Sequence, residues 1–191
     1  MERITESSPR FKARIAGILY LLTILTGALA LVFVSGRLFA NLVATACYIA
    51  VTLLFYYLFK PVNRSLSLLA AFIGLAGCAI GALSSFDLAP TNINPLVFFG
   101  FYCLLIGYLI FRSTFLPRIL GALMAFGGLG WLTFLSSPLA DSLSPYNLAP
   151  GIIGELTLTV WLLVKGVNAQ RWKEQASGGM ANLARDARTP G

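Results

Sequence analysis

The sequence predicts an all-α protein: an integral membrane bundle of six transmembrane helices with short connections. Three observations lead to this. The chain of 191 residues is 58% hydrophobic and only 11% charged, far below the charge content of a soluble domain. Its apolar residues fall into six runs of roughly 20, the length of helix that crosses a hydrocarbon core of about 30 Å. Thirteen of its fourteen Lys and Arg stand at alternate run boundaries, as expected where basic residues mark cytoplasmic loops. The net charge of +7 is therefore assigned to membrane orientation, and nucleic acid is not an expected partner. The organisation expected is a basic N-terminus over residues 1–14, a six-helix domain over 15–165 and a polar, largely disordered tail over 166–191.

Residues 1–14 carry Arg10, Lys12 and Arg14 before the first apolar run, much like the start of a signal peptide. The run over 15–35 is too long for an ordinary signal core, so it is read as the first span, although Ala28 and Ala30 form a cleavage-like pair. Ser35, Gly36 and Arg37 make a tight reversal. The second span, 38–59, ends in Phe55, Tyr56 and Tyr57, followed by the basic turn Lys60-Pro61-Val62-Asn63-Arg64. Proline stops a helix, and an aromatic edge beside basic residues anchors a span at the interface. The third span, 65–86, places Ala70, Gly74, Gly77 and Gly81 on one face, which suits close approach by a neighbouring helix.

A polar loop without basic residues covers 87–94. Pro95 opens the fourth span, 95–111, at the position where its missing N–H costs nothing. Arg112 and Arg118 bound the next basic turn, and the fifth span, 119–136, repeats the small-residue face with Gly121, Ala125 and Gly128. A second polar loop over 137–147 leads to the sixth span, 150–164, which closes at Lys165. Arg171, Trp172 and Lys173 read as an interfacial anchor. Lys60, Arg112 and Lys165 recur at spacings of 52 and 53 residues, as any three equal hairpins with cytoplasmic basic turns would show. Six spans put both termini on one side, and the basic count makes that side the cytoplasm of the bacterial cell (inner) membrane.

The turn YLFKPVNRSLSLLAAF, the segment LIGYLIFRSTFLPRILGALM and the last span IIGELTLTVWLLVKGVN resemble the bacterial multi-pass membrane family catalogued as domain of unknown function 4386. The resemblance runs from Arg14 to about Arg171. It implies an integral membrane protein and no particular activity. The chain departs from the family pattern in its short connection around Arg37 and in having Gly74 and Gly77 where charged residues often stand. Glu155 matches the pattern.

Sites are sparse. There is no histidine, so the commonest general base and metal ligand is missing. No nucleotide-binding loop, metalloprotease motif or nucleophile elbow is present. Catalytic residues, metal ligands and cofactors are therefore not assigned. Cys47, Cys78 and Cys103 all lie in apolar runs and read as small buried hydrophobes. Tyr20, Tyr48 and Trp131 read as packing or interface residues.

Glu155 is the one acidic residue within the apolar part of the chain, and a charge in a span points to function by default. Placed about five residues below the outer edge, it has Arg37, the one basic residue on that side, as a natural partner. Asn41 and Thr159, each four residues further along, could complete the pair's hydrogen bonds. Arg37, Asn41, Glu155 and Thr159 thus form a candidate outer-leaflet polar cluster. In the rival arrangement Arg37 reaches lipid phosphates and Glu155 is simply protonated.

Three functions are compatible with this. The first is a non-catalytic scaffold or accessory membrane subunit, with the lipid bilayer and partner membrane helices as its contacts through Ala70, Gly74, Gly77, Gly81, Gly121 and Gly128. The alternative is a small transporter or proton-coupled carrier using Glu155. An enzyme comes third, since nothing supplies a base and nucleophile together. No small-molecule ligand is identified by the sequence. The topology is open to direct test: reporter fusions at Asp87 and Asp141 should read as external, and a cytoplasmic signal at either would refute the six-span arrangement.

Overall fold

A computed structural model describes residues 8–32, 36–88 and 94–186, with the side chains of 31, 32 and 179–186 excepted. Residues 1–7 of the basic N-terminus, Ser35 of the first reversal, 89–93 of the first polar loop and 187–191 of the tail lie outside the described residues. The helices are α1 (Pro9–Val32), α2 (Arg37–Phe59), α3 (Arg64–Ser85), α4 (Pro95–Arg112), α5 (Arg118–Leu132), α6 (Ser137–Leu143), α7 (Leu148–Val164) and α8 (Ala169–Asp186). The all-α expectation holds throughout the described residues.

Local chemistry sets the helix ends. Asn63 and Asn94 cap α3 and α4, each side chain accepting a backbone N–H of the first turn at 2.9 Å. This satisfies a donor that has no partner within the helix. Pro95 occupies the first turn of α4 and Pro117 immediately precedes α5. Gly166 ends α7 with a φ of +67°, and the N–H groups of Lys165 and Gly166 both return to the Trp161 carbonyl at 2.8 and 3.0 Å. The left-handed residue after a helix is where glycine carries no Cβ penalty.

The helices α1 to α5, with a short 3-10 turn extending α5 to Leu135, are long and apolar enough to cross a membrane. The expected sixth span is not a plain helix. Where a loop was expected over 137–147, α6 forms, and it meets α7 at a bend of 79°. Pro138 starts this helix, and Asn147 holds the corner by donating to the Thr133 hydroxyl at 3.3 Å and the Ala140 carbonyl at 3.5 Å. The tail also departs from expectation. Far from lacking structure, it is helical over Ala169–Asp186, because its few apolar groups find the bundle. Trp172 is buried, stacks on Tyr57 and donates its indole N–H to the Leu58 carbonyl at 2.8 Å. Gln175 accepts from the backbone N–H and the hydroxyl of Thr114, both at 3.1 Å.

Each long helix packs on its sequence neighbours, and α7 packs on both α5 and α1. The spans therefore close into a ring in the order α1, α2, α3, α4, α5, α7. Glycine sets how tightly. A Cβ on Gly121 would stand 2.6 Å from the Gly107 carbonyl oxygen, and one on Gly128 would stand 2.8 Å from that of Gly100. The α4–α5 seam is thus backbone against backbone, which only small residues allow. Gly74 abuts Tyr102 and Thr52, and Gly77 abuts Phe98 and Phe99, while Gly81 meets nothing nearer than Pro95 at 3.9 Å. Ala70 is buried on the same helix. A further glycine seam, absent from the expectation, joins α5 to α7: Gly127 and Gly130 face Pro150 and Asn147, Gly154 presses on the Leu123 carbonyl and Gly151 on the Trp131 ring.

Two outcomes follow from this packing. Gly121→Ala must push backbone apart and should destabilise the bundle by about 1–3 kcal/mol, whereas Gly81→Ala should leave the melting midpoint in detergent unchanged. Trp172→Phe removes one buried hydrogen bond, at a cost of about 1 kcal/mol, and should expose the α8 backbone to hydrogen exchange before the spans open; protection equal to wild type would show that the bond does not hold α8.

Candidate functional site

Glu155 lies seven residues into α7, with nine residues of the helix beyond it. At 1.5 Å per residue this is roughly 10 Å from the helix start, so the carboxyl sits near the middle of the bundle and not at its outer edge. The glycine seam explains its surroundings. With Gly151 against its ring, Trp131 of α5 donates its indole N–H to Glu155 Oε1 at 2.8 Å. The thiol of Cys103 on α4 donates to the same oxygen at 3.6 Å. Glu155 is buried, while Trp131 keeps partial exposure near the C-terminal end of α5. The indole therefore covers the carboxyl toward that end of the bundle.

Beside the carboxyl lies a set of hydroxyls. The Tyr20 hydroxyl on α1 faces the Glu155 carboxyl, that of Tyr48 on α2 lies next to it, and that of Tyr102 on α4 lies beside Thr52. The rings of Tyr20 and Tyr48 meet edge-on at 5.6 Å, and Tyr48 tilts against Tyr102 at 5.7 Å and Phe99 at 4.7 Å. Tyr20, Thr52, Tyr102 and Thr159 have no exposure and Tyr48 is 5% exposed. Among the described residues none of these five hydroxyls completes a hydrogen bond. A buried hydroxyl without a partner costs about 1–3 kcal/mol, and the great majority of such groups in native interiors are satisfied. Tyr20 stands nearest the carboxyl, Tyr48 beside Tyr20 and Thr52 beside Tyr102, so the hydroxyls are close to one another yet short of well-aligned partners.

The expected cluster is not what surrounds Glu155. Arg37 is exposed at the first turn of α2, and Asn41 is half-buried one turn later. The hydrogen bonds of Glu155 go to Trp131 and Cys103, and among the described residues Arg37 makes no ion pair with it. Two features separate them. α7 starts early enough to carry Glu155 below the level of Arg37, and α2 packs on α1 and α3 while α7 packs on α1 and α5. Thr159 is buried one turn beyond Glu155, as its spacing implies, with its hydroxyl free of the carboxyl. Tyr20, Tyr48, Thr52, Tyr102, Cys103 and Trp131 were not expected in a site. The signal for the tyrosines was their depth. Tyr20 and Tyr48 each lie eleven residues into their helices, far from the interface where tyrosine usually anchors a span.

Glu155 and Cys103 are two donors of the kind metals favour, and among the described residues no group of three or more His, Cys, Asp and Glu forms. Hydroxyl and carboxyl oxygens dominate instead, in a centre whose one acidic group has no basic neighbour.

A protein of Archaeoglobus fulgidus described as "Uncharacterized protein" is 28% identical over 127 residues, covering 62% of this chain and 76% of that one. No solved structure matches the chain. The family model described as "Domain of unknown function (DUF4386)" matches residues 35–92 and 88–166, a stretch that contains Tyr48, Thr52, Tyr102, Cys103, Trp131, Glu155 and Thr159. With well over half of its length matched, the chain belongs to the DUF4386 family.

Proposed function

We propose that the protein is a small proton-coupled carrier of the cell membrane, with Glu155 as the group that alternates between its protonated and charged forms. The observation that carries this reading is the carboxyl near the middle of the helix ring, held by Trp131 and Cys103 and bordered by buried hydroxyls that lack partners. An ionisable group in the interior of a span is expensive and characteristically serves a substrate or proton path. Carriers place such groups near the membrane midplane and build them on discontinuous helices; the bend between α6 and α7 supports the comparison. Both termini are assigned to the cytoplasm on the distribution of Lys and Arg.

A scaffold needs small-residue faces free for partner helices. Gly74, Gly77, Gly121 and Gly128 instead meet neighbours within the ring, which favours the carrier. In proteoliposomes, concentration jumps across a panel of small polar solutes should evoke charge movement in wild type for at least one solute. Glu155→Gln should lower that current at least tenfold, and Glu155→Asp should retain part of it. Equal responses from wild type and Glu155→Gln across the panel would overturn the carrier reading.

A further inference from the structure

We infer that the solute is a small hydrogen-bond-donating monocation, of the size of ammonium or methylammonium, which competes with the proton for Glu155. This rests on the carrier reading and adds the class of ligand to it.

Charge excludes anions. Every Lys and Arg among the described residues stands within the first or last two turns of a helix or in a connection between helices. An anion in the centre would therefore face Glu155 without a counter-charge. A cation would meet the carboxylate together with the faces and edges of Tyr20, Tyr48, Tyr102 and Phe99, and aromatic faces attract cations.

Hydrogen bonding narrows the class further. A proton alone neutralises Glu155 but brings no donor to the lone pairs of the buried hydroxyls of Tyr20, Tyr48 and Tyr102. Water alone would satisfy hydroxyls and leave the charge. An ammonium group does both, because its several N–H donors suit the carboxylate oxygen and the lone pairs of hydroxyls. Size follows from packing. Ring centroids 4.7 to 6.0 Å apart are rings in direct contact, so the centre excludes a bulky amine and admits only a small cation, with a shift of these side chains.

The route of access follows as well. Trp131 covers Glu155 Oε1 toward the C-terminal end of α5, so a cation arriving from there must displace the indole N–H. Trp131 thereby becomes a reporter of occupancy. The titratable groups facing the carboxyl are Tyr20 from α1, Tyr48 from α2, and Tyr102 and Cys103 from α4. All four are neutral when protonated, so the charge the cation seeks is that of Glu155.

The test uses the purified full-length chain in detergent at constant ionic strength. Trp131 emission is obtained as the difference from Trp131→Phe, and the Glu155 carboxyl infrared band as the difference from Glu155→Gln. Methylammonium chloride should change the emission saturably and abolish the protonated-carboxyl band, with apparent affinity falling as pH is lowered. The response should vanish in Glu155→Gln, persist more weakly in Glu155→Asp, and lose at least tenfold in affinity in Tyr20→Phe. Tetramethylammonium, which has no N–H, should be without effect. A carboxyl band that titrates with pH while methylammonium moves neither signal would overturn this inference and leave proton coupling standing. A tetramethylammonium response as strong as that of methylammonium would overturn the hydrogen-bonding argument. A carboxyl band that never titrates would overturn both this inference and the carrier reading. Circular dichroism and gel filtration of each variant separate loss of binding from loss of fold.

Discussion

The hydrogen bond from the Trp131 indole to the Glu155 carboxyl is the interaction on which the rest of the structure turns. A carboxyl buried far from either end of the bundle needs a donor there, since bulk water is out of reach. The donor comes from α5, and it can reach only because the α5–α7 seam is lined by glycine. Gly151 leaves room for the indole ring, and Gly154 lets α7 lie on the α5 backbone. The polar bond and the close packing thus require each other. Larger residues in the seam would move Trp131 away from the carboxyl, and loss of the carboxyl would leave the indole N–H buried without its acceptor.

The second constraint is the closure of the ring. Since α7 contacts α1 as well as α5, residues from the two ends of the chain share one centre. Tyr20 faces Glu155 across this closure, and Tyr48 and Tyr102 extend the hydroxyl group around it. Helices α1, α2, α4, α5 and α7 each contribute a polar group, which is how a bundle with an apolar outer face holds an interior of different chemistry.

Much of the fold was legible in the sequence. Run length and the placement of Lys and Arg are local properties, and they located the five long spans and the basic turns, while Pro95 marked the start of the fourth span. The small-residue faces of α3 and α5 were visible from spacing. The α5–α7 seam was not, because Gly127, Gly130, Gly151 and Gly154 become a seam only once those two helices are known to be neighbours. Glu155 was recognisable alone, as a charge in an apolar run. Its partners were assigned by depth counted from an assumed helix start. With that start two residues earlier, and with α1 between α2 and α7 around the ring, Arg37 and Asn41 fall away and Trp131, Cys103 and Tyr20 take their place. The α8 helix escaped a reading based on composition because one buried tryptophan, Trp172, supplies much of its attachment.

Ring closure also bears on how the protein is made. Helices enter the bilayer in chain order, so α1 and α2 are in lipid well before α7 leaves the ribosome. Until then the hydroxyls of Tyr20 and Tyr48 face an unfinished wall, and nothing seals the first helix against the rest. The closing piece is itself a poor candidate for independent insertion: 17 residues, with an acid near its middle and a sharp bend before it. Its insertion is favoured by the surface already waiting for it, where Trp131 and Cys103 can receive the acid. The order of synthesis therefore makes the costliest helix the last to arrive, at the moment when all of its partners are in place.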